Sequence, residues 1–148
     1  DEQFIKAVEF AKIMFIEELK NVVGKVEASK KVKTILKKTK GSILILDEYL
    51  PYQETLLSSP YGEKIKFAIY PSNRGGYGIK TIPISTTDKT SRVYFPKEWG
   101  GLTNNDLEKV TGIKGSLFCH TNRFLMTAKD LDTAIKLAEI AIELNEQQ

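Results

Sequence analysis

The sequence predicts an α+β fold: a mixed β-sheet with a long N-terminal helix and a C-terminal helix packed on it in two layers. Three observations predict it. The first forty residues carry apolar side chains at helical spacing, the middle holds short β-branched runs separated by turn residues, and the last segment returns to helical spacing. Helices at both ends of a strand series make an α+β layout rather than an alternating α/β one.

In the first helix, Phe4, Val8, Ala11, Phe15, Leu19, Val22 and Val26 recur at steps of three and four, one apolar stripe at the period of an α-helix. Val32, Ile35 and Leu36 continue it. Gly24 is its weak point, because glycine costs about 1 kcal/mol relative to alanine inside a helix. Gly41 stands where a C-terminal glycine is expected, after lysines suited to the negative end of the helix dipole.

Ser42 to Leu46 has the length and composition of a strand, and Tyr52 to Leu57 reads as a helical turn. Ser58 to Gly62 is a loop by its turn residues. Ile65 to Tyr70 and Tyr77 to Ile84 form a hairpin about Asn73-Arg74-Gly75-Gly76, whose glycines suit positive φ. Asn104 to Val110 reads as a short helix capped by Thr103 or Asn104 and stopped by Gly112. Ser116 to His120 and Phe124 to Thr127 are further strands. The last helix carries Leu131, Ala134, Ile135, Ala138, Ala141 and Ile142, with Asp130 or Thr127 as its cap.

At 148 residues, 41% hydrophobic and 28% charged, the composition is that of one globular domain, residues 1–148. Cys119 is the only cysteine, which excludes an intramolecular disulfide. No stretch approaches the roughly 20 apolar residues of a membrane span, so no membrane partner is expected. The start, Asp1-Glu2-Gln3, has neither an initiator methionine nor a signal pattern and runs straight into a helix, which predicts a domain cut from a longer chain. No phosphate-binding or dinucleotide fingerprint occurs.

Charge is uneven. Lys20 to Lys40 holds eight lysines against Glu27 alone, and Asp130 to Glu146 holds five carboxylates against Lys136. The lysine run suits a polyanion through counterion release, but it has no interleaved aromatics, and solvation is its default reading.

From Phe67 onward the sequence reads F-A-I-Y-P (Phe67 to Pro71), Y-G-I-K-T-I-P-I-S (Tyr77 to Ser85), R-V-Y-F-P-K-E-W-G-G-L (Arg92 to Leu102) and L-E-K-V-T-G-I-K-G-S-L-F-C-H (Leu107 to His120). In order and spacing these pieces resemble the C-terminal part of the melanocyte-proliferating-gene (Myg) family of exonucleases, within the DHH superfamily of metal-dependent phosphoesterases. The resemblance implies the substrate-side domain of a 3′–5′ RNA exonuclease. It further implies that the divalent metal, Mn or Mg, is held by an N-terminal DHH domain that this chain lacks. That domain and RNA are the implied partners, and the nucleus or mitochondrion the implied location. No catalytic or metal-binding residue is expected here, so the chain alone should not hydrolyse its substrate. One departure stands out: Thr121 to Thr127 contains no glycine where the family usually has one.

The candidate substrate-binding residues are His120, Asn122, Arg123, Arg92 and Lys80. His120 follows an apolar strand, where α/β proteins place ligand-binding groups, and could equally be a structural histidine. Asn122 and Arg123 share its turn, and an arginine suits a phosphate. Arg92 could reach a cleft or anchor its own loop, and Lys80 projects from a strand. Trp99 reads as a core plug before a base-stacking platform. Cys119 and His120, adjacent on a strand, point to opposite faces and form no nucleophilic dyad. The rival reading is an interaction module, a homodimer formed through the apolar stripe of the first helix.

Overall fold

A computed structural model describes residues 1–148. Helix α1 (Glu2–Lys38) leads into strand β1 (Ile43–Ile45), helix α2 (Gln53–Ser58) and the hairpin of β2 (Phe67–Pro71) and β3 (Tyr77–Thr81). Helix α3 (Asn104–Thr111), strands β4 (Ser116–Cys119) and β5 (Leu125–Ala128) and helix α4 (Leu131–Glu146) follow. The strands form one mixed sheet in the order β1-β2-β3-β5-β4, parallel between β1 and β2 and antiparallel elsewhere. The α+β class is therefore the one the sequence predicts.

The helices divide between the two faces of the sheet, so it is covered on both sides rather than on one. On one face Phe67, Ile69, Ile79, Met126 and Cys119 meet α4 through Ala134, Leu137, Ala138 and Ala141, with Phe95, Trp99 and Leu107 completing the core. On the other, Ala68, Leu44, Leu46 and Ile82 meet Val32 and Leu36 of α1 and Leu56 of α2. Alternate side chains point to opposite faces, so the apolar triplet Phe67-Ala68-Ile69 in β2 can only be a strand buried on both.

Two expectations about α1 are corrected. The helix runs unbroken through Gly24, which is exposed and whose missing side chain faces open space. Gly41 is not the terminator. The helix stops at Lys38, Thr39 takes an extended conformation, and its hydroxyl donates to the Ile35 carbonyl at 2.7 Å, which removes the need for a left-handed glycine. The other ends follow local chemistry. Gly112 closes α3 at φ 73°, and the Asp130 carboxylate accepts from the Thr133 N–H at 2.8 Å to cap α4.

Of the long α1, only Ala28, Val32 and Leu36 are buried. Every apolar side chain from Phe4 to Val26 is exposed. At 3.6 residues per turn, the stripe Phe4-Val8-Ala11-Phe15-Leu19-Val22-Val26 lies roughly a quarter turn around the helix from the face that meets the sheet. The one continuous stripe expected from the sequence is thus two surfaces, and only the C-terminal one belongs to this domain's core.

Candidate functional site

The β4–β5 hairpin turns at His120. Its N–H donates to the Leu125 carbonyl at 2.9 Å, and the Arg123 N–H donates back to the His120 carbonyl at 2.8 Å. Within the turn, the Asn122 N–H donates to His120 Nδ1 at 2.9 Å. A ring nitrogen that accepts an N–H carries no proton, so the neutral imidazole bears its proton on Nε2 as a free donor. Phe124 packs on the ring at 4.5 Å between centroids, and Phe118 meets it edge-on at 6.3 Å. His120 is half-buried and fixed in orientation, and Asn122 acts on it through its backbone.

Arg123 does not extend from this turn. Its φ is +61°, the left-handed region that favours glycine, which is where the glycine-free stretch bears its cost. Its guanidinium donates to the Phe95 carbonyl at 3.1 Å and lies 5.4 Å over the Tyr94 ring. The Phe95 N–H donates to the Arg123 carbonyl, so side chain and backbone both clamp the turn to the segment before Trp99. Gly100 admits the side chain: a methyl there would stand 3.1 Å from Arg123 Cγ. Trp99 is buried and stacked near Phe95, in the core.

Arg92 serves another turn. One of its terminal nitrogens donates to the carbonyls of Gly62 and Ile65 at 2.7 and 2.8 Å and to that of Glu63 at 3.3 Å. Partial burial lowers its pKa, opposed by Glu63. The structure thus brings Asn122 and Arg123 to His120 and leaves Arg92 with the turn that precedes β2.

Lys80 and His120 share one face of the sheet. The register pairs Lys80 with Ala68 on one side and Leu125 on the other, and Phe118 with Thr127. This is the face that α1 and α2 cover over β1 and β2. Over β5 and β4 no helix covers it, and Phe118, Leu125 and Thr127 are half-buried there. Lys80 sits at the boundary, half-buried and without an ion pair, where β3 meets Lys25, Lys30 and Lys33 of α1 in a cleft of about 720 Å³. Phe118 and Phe124 were not among the expected site residues. The alternation of β4 is the signal that would have put Phe118 beside His120.

Cys119 points the opposite way, into the core, and burial pushes its thiol up to about 11 despite the nearby Arg123. No group of three or more His, Cys, Asp or Glu side chains comes together to hold a metal ion. No helix is long and apolar enough to cross a membrane. What the arrangement offers is hydrogen-bond donation from His120 and positive charge from lysines.

The site is thus a sheet half-open on one face, with a held imidazole at its rim and lysines at the boundary of the covered half. The comparisons with known proteins supply the family. Residues 1–142 match the family MYG1_exonuc, described as Uncharacterised protein family (UPF0160), and the chain belongs to it. Among its relatives, the MYG1 protein of Dictyostelium discoideum is 30% identical over 66% of this chain and 31% of its own length. The MYG1 exonuclease of Homo sapiens is 30% identical over 64% of this chain and 25% of its own length. An MYG1 protein of Chlamydia pneumoniae is 36% identical over 59% of this chain and 30% of its own length. The matched part of the chain spans about a third or less of each of these relatives. No solved structure matches the chain.

Proposed function

We propose that this chain is the substrate-side domain of a metal-dependent 3′–5′ RNA exonuclease. Another part of the protein holds the Mn or Mg ions and the water they activate. The observation that carries the reading is the His120 ring at the rim of the open half-face, whose Nδ1 is occupied by the Asn122 N–H while Nε2 has no partner within the chain. A donor so placed suits a phosphodiester oxygen, and a family that includes proteins named exonucleases supplies the reaction class. Lys80, on the same face with Leu125 between it and His120, adds charge, and Arg123 keeps the turn in place.

The experiment has two parts. The chain alone, with manganese, hydrolyses no oligoribonucleotide; activity in a clean preparation overturns the division of labour. In the whole protein, His120→Ala lowers turnover about 10- to 100-fold, the worth of one hydrogen bond to a charged group, with little change in Tm. Unchanged turnover removes His120 from substrate contact.

A second reading rests on the exposed stripe of α1: the domain dimerises through it. Its steps of four and three read the same in both directions from Phe15. An antiparallel copy centred there sets Ala11 opposite Leu19 and Val8 opposite Val22, small against large at the first pair. Exposed apolar surface of this extent is rare on a monomer. Light scattering tests it: a dimer that Phe15→Glu dissociates supports the reading, and a wild-type monomer ends it.

A further inference from the structure

The lysine run has no aromatic of its own, and the fold supplies three from elsewhere. Tyr49, Tyr52 and Tyr70 line the 720 Å³ cleft in which Lys25, Lys30 and Lys33 meet Lys80. None of these four lysines makes an ion pair, whereas Lys31, one residue away but outside the cleft, is held by Glu48 at 3.0 Å. Glu54 is the only carboxylate in the lining. Four free ammonium groups against one carboxylate leave the cleft strongly positive.

The tyrosines form a built wall. Tyr49 is 61% exposed yet held edge-on against Tyr70 at 5.4 Å, and Tyr70 in turn rests beside the buried Tyr52 at 6.3 Å. Gly78 lies opposite Tyr70 across the ladder, and its missing side chain leaves the space the Tyr70 ring occupies. The Thr55 hydroxyl donates to Ser29 Oγ at 3.1 Å and pins α2 to α1 at the cleft. A second, smaller cleft shares Gln53 and Lys80 with the first and reaches Phe124, the residue that packs on His120.

We propose that this cleft is a second binding site for single-stranded RNA, holding the part of the strand that runs on from the phosphodiester at His120, with phosphates on Lys25, Lys30, Lys33 and Lys80 and a base on Tyr49. It rests on the reading of the whole protein as an RNA exonuclease, and it gives this domain a grip on substrate away from the scissile bond. Single strands are favoured over duplex because a stacked base must leave its neighbours to meet Tyr49.

The test is fluorescence anisotropy of a labelled dodecauridylate titrated with this chain over a range of salt. With three or four phosphates neutralised, log K falls against log salt with a slope of about −2 to −3. Lys30→Gln with Lys33→Gln flattens the slope by about 1.4. Tyr49→Ala weakens binding about five- to hundredfold. The control pair Lys114→Gln with Lys136→Gln, exposed lysines outside the cleft, changes neither. Circular dichroism verifies that each variant is folded. Four results overturn the site: no binding, binding indifferent to the cleft variants, an equal loss in the control pair, or equal affinity for a duplex. If His120→Ala weakens binding and the cleft variants do not, the cleft falls and the His120 reading stands. If the cleft variants act while whole-protein turnover ignores His120→Ala, the reverse holds.

Discussion

Tyr70 and Gly78 are cross-strand partners, and the ring of one lies where the side chain of the other would be. A methyl group on Gly78 would stand 2.7 Å from Tyr70 Cε2, inside van der Waals contact. The glycine serves the tyrosine rather than the strand, whose φ at that residue is ordinary.

Gly78→Ala should therefore displace the Tyr70 ring and loosen the contact to Tyr49 while the sheet persists. Overpacking of this kind costs about 1–3 kcal/mol. The ring end is the part that moves, so the loss should fall near the lower figure. Urea unfolding gives the stability loss, and near-ultraviolet circular dichroism reports the tyrosine environment. An unaltered spectrum would show that Tyr70 was not held by this gap.

The left-handed backbone of Arg123 makes a second, separable prediction. Arg123→Ala loses the bond to the Phe95 carbonyl and the contact with Tyr94 and keeps the strained φ. Arg123→Gly loses the same contacts and removes the strain, worth about 1–2 kcal/mol for a residue with a side chain. The glycine variant should melt above the alanine variant, by about 2–6 °C for a chain of this size. Equal melting temperatures would mean that the turn relaxes once the guanidinium is gone.

Cys119 is predicted to be silent. With its thiol pushed up to about 11, about one molecule in a thousand carries the thiolate at pH 8. Ellman's reagent should react with the folded chain only as fast as the chain opens, and at once in denaturant. Rapid labelling of folded protein would contradict the burial of this residue.

Acid should weaken the last helix through its cap. Bonds from Thr133 to the Asp130 carboxylate lower its pKa, with Lys129 and Lys136 adding to the effect. A depressed carboxylate stabilises the fold above its unfolded pKa, near 3.9, and that contribution is lost as pH falls through the lower folded value. Asp130→Ala should thus lower Tm at pH 7 and narrow its gap to wild type below pH 4. A constant gap across that range would assign the loss to something other than the charge.

How much was legible in the sequence differs by element. α3 and α4 were readable almost to the residue, because Gly112 and Asp130 end and begin them by local chemistry. The end of α1 was misplaced at Gly41 because a threonine hydroxyl can do what a left-handed glycine usually does. His120 was legible as a candidate, being a polar group at the end of an apolar strand. What Arg92 and Arg123 hold was not, since the Gly62–Ile65 turn and Phe95 are distant in sequence.

Periodicity and turn residues determine which segments of this chain are helix and which are strand, and they carry the family's pattern of motifs. The three-dimensional packing alone decided which apolar stripe of α1 faces the sheet, because periodicity marks a face without naming what covers it. It also set three tyrosines against lysines from α1 and β3. Charge and aromatic rings act through space, and a linear pattern records only neighbours along the chain.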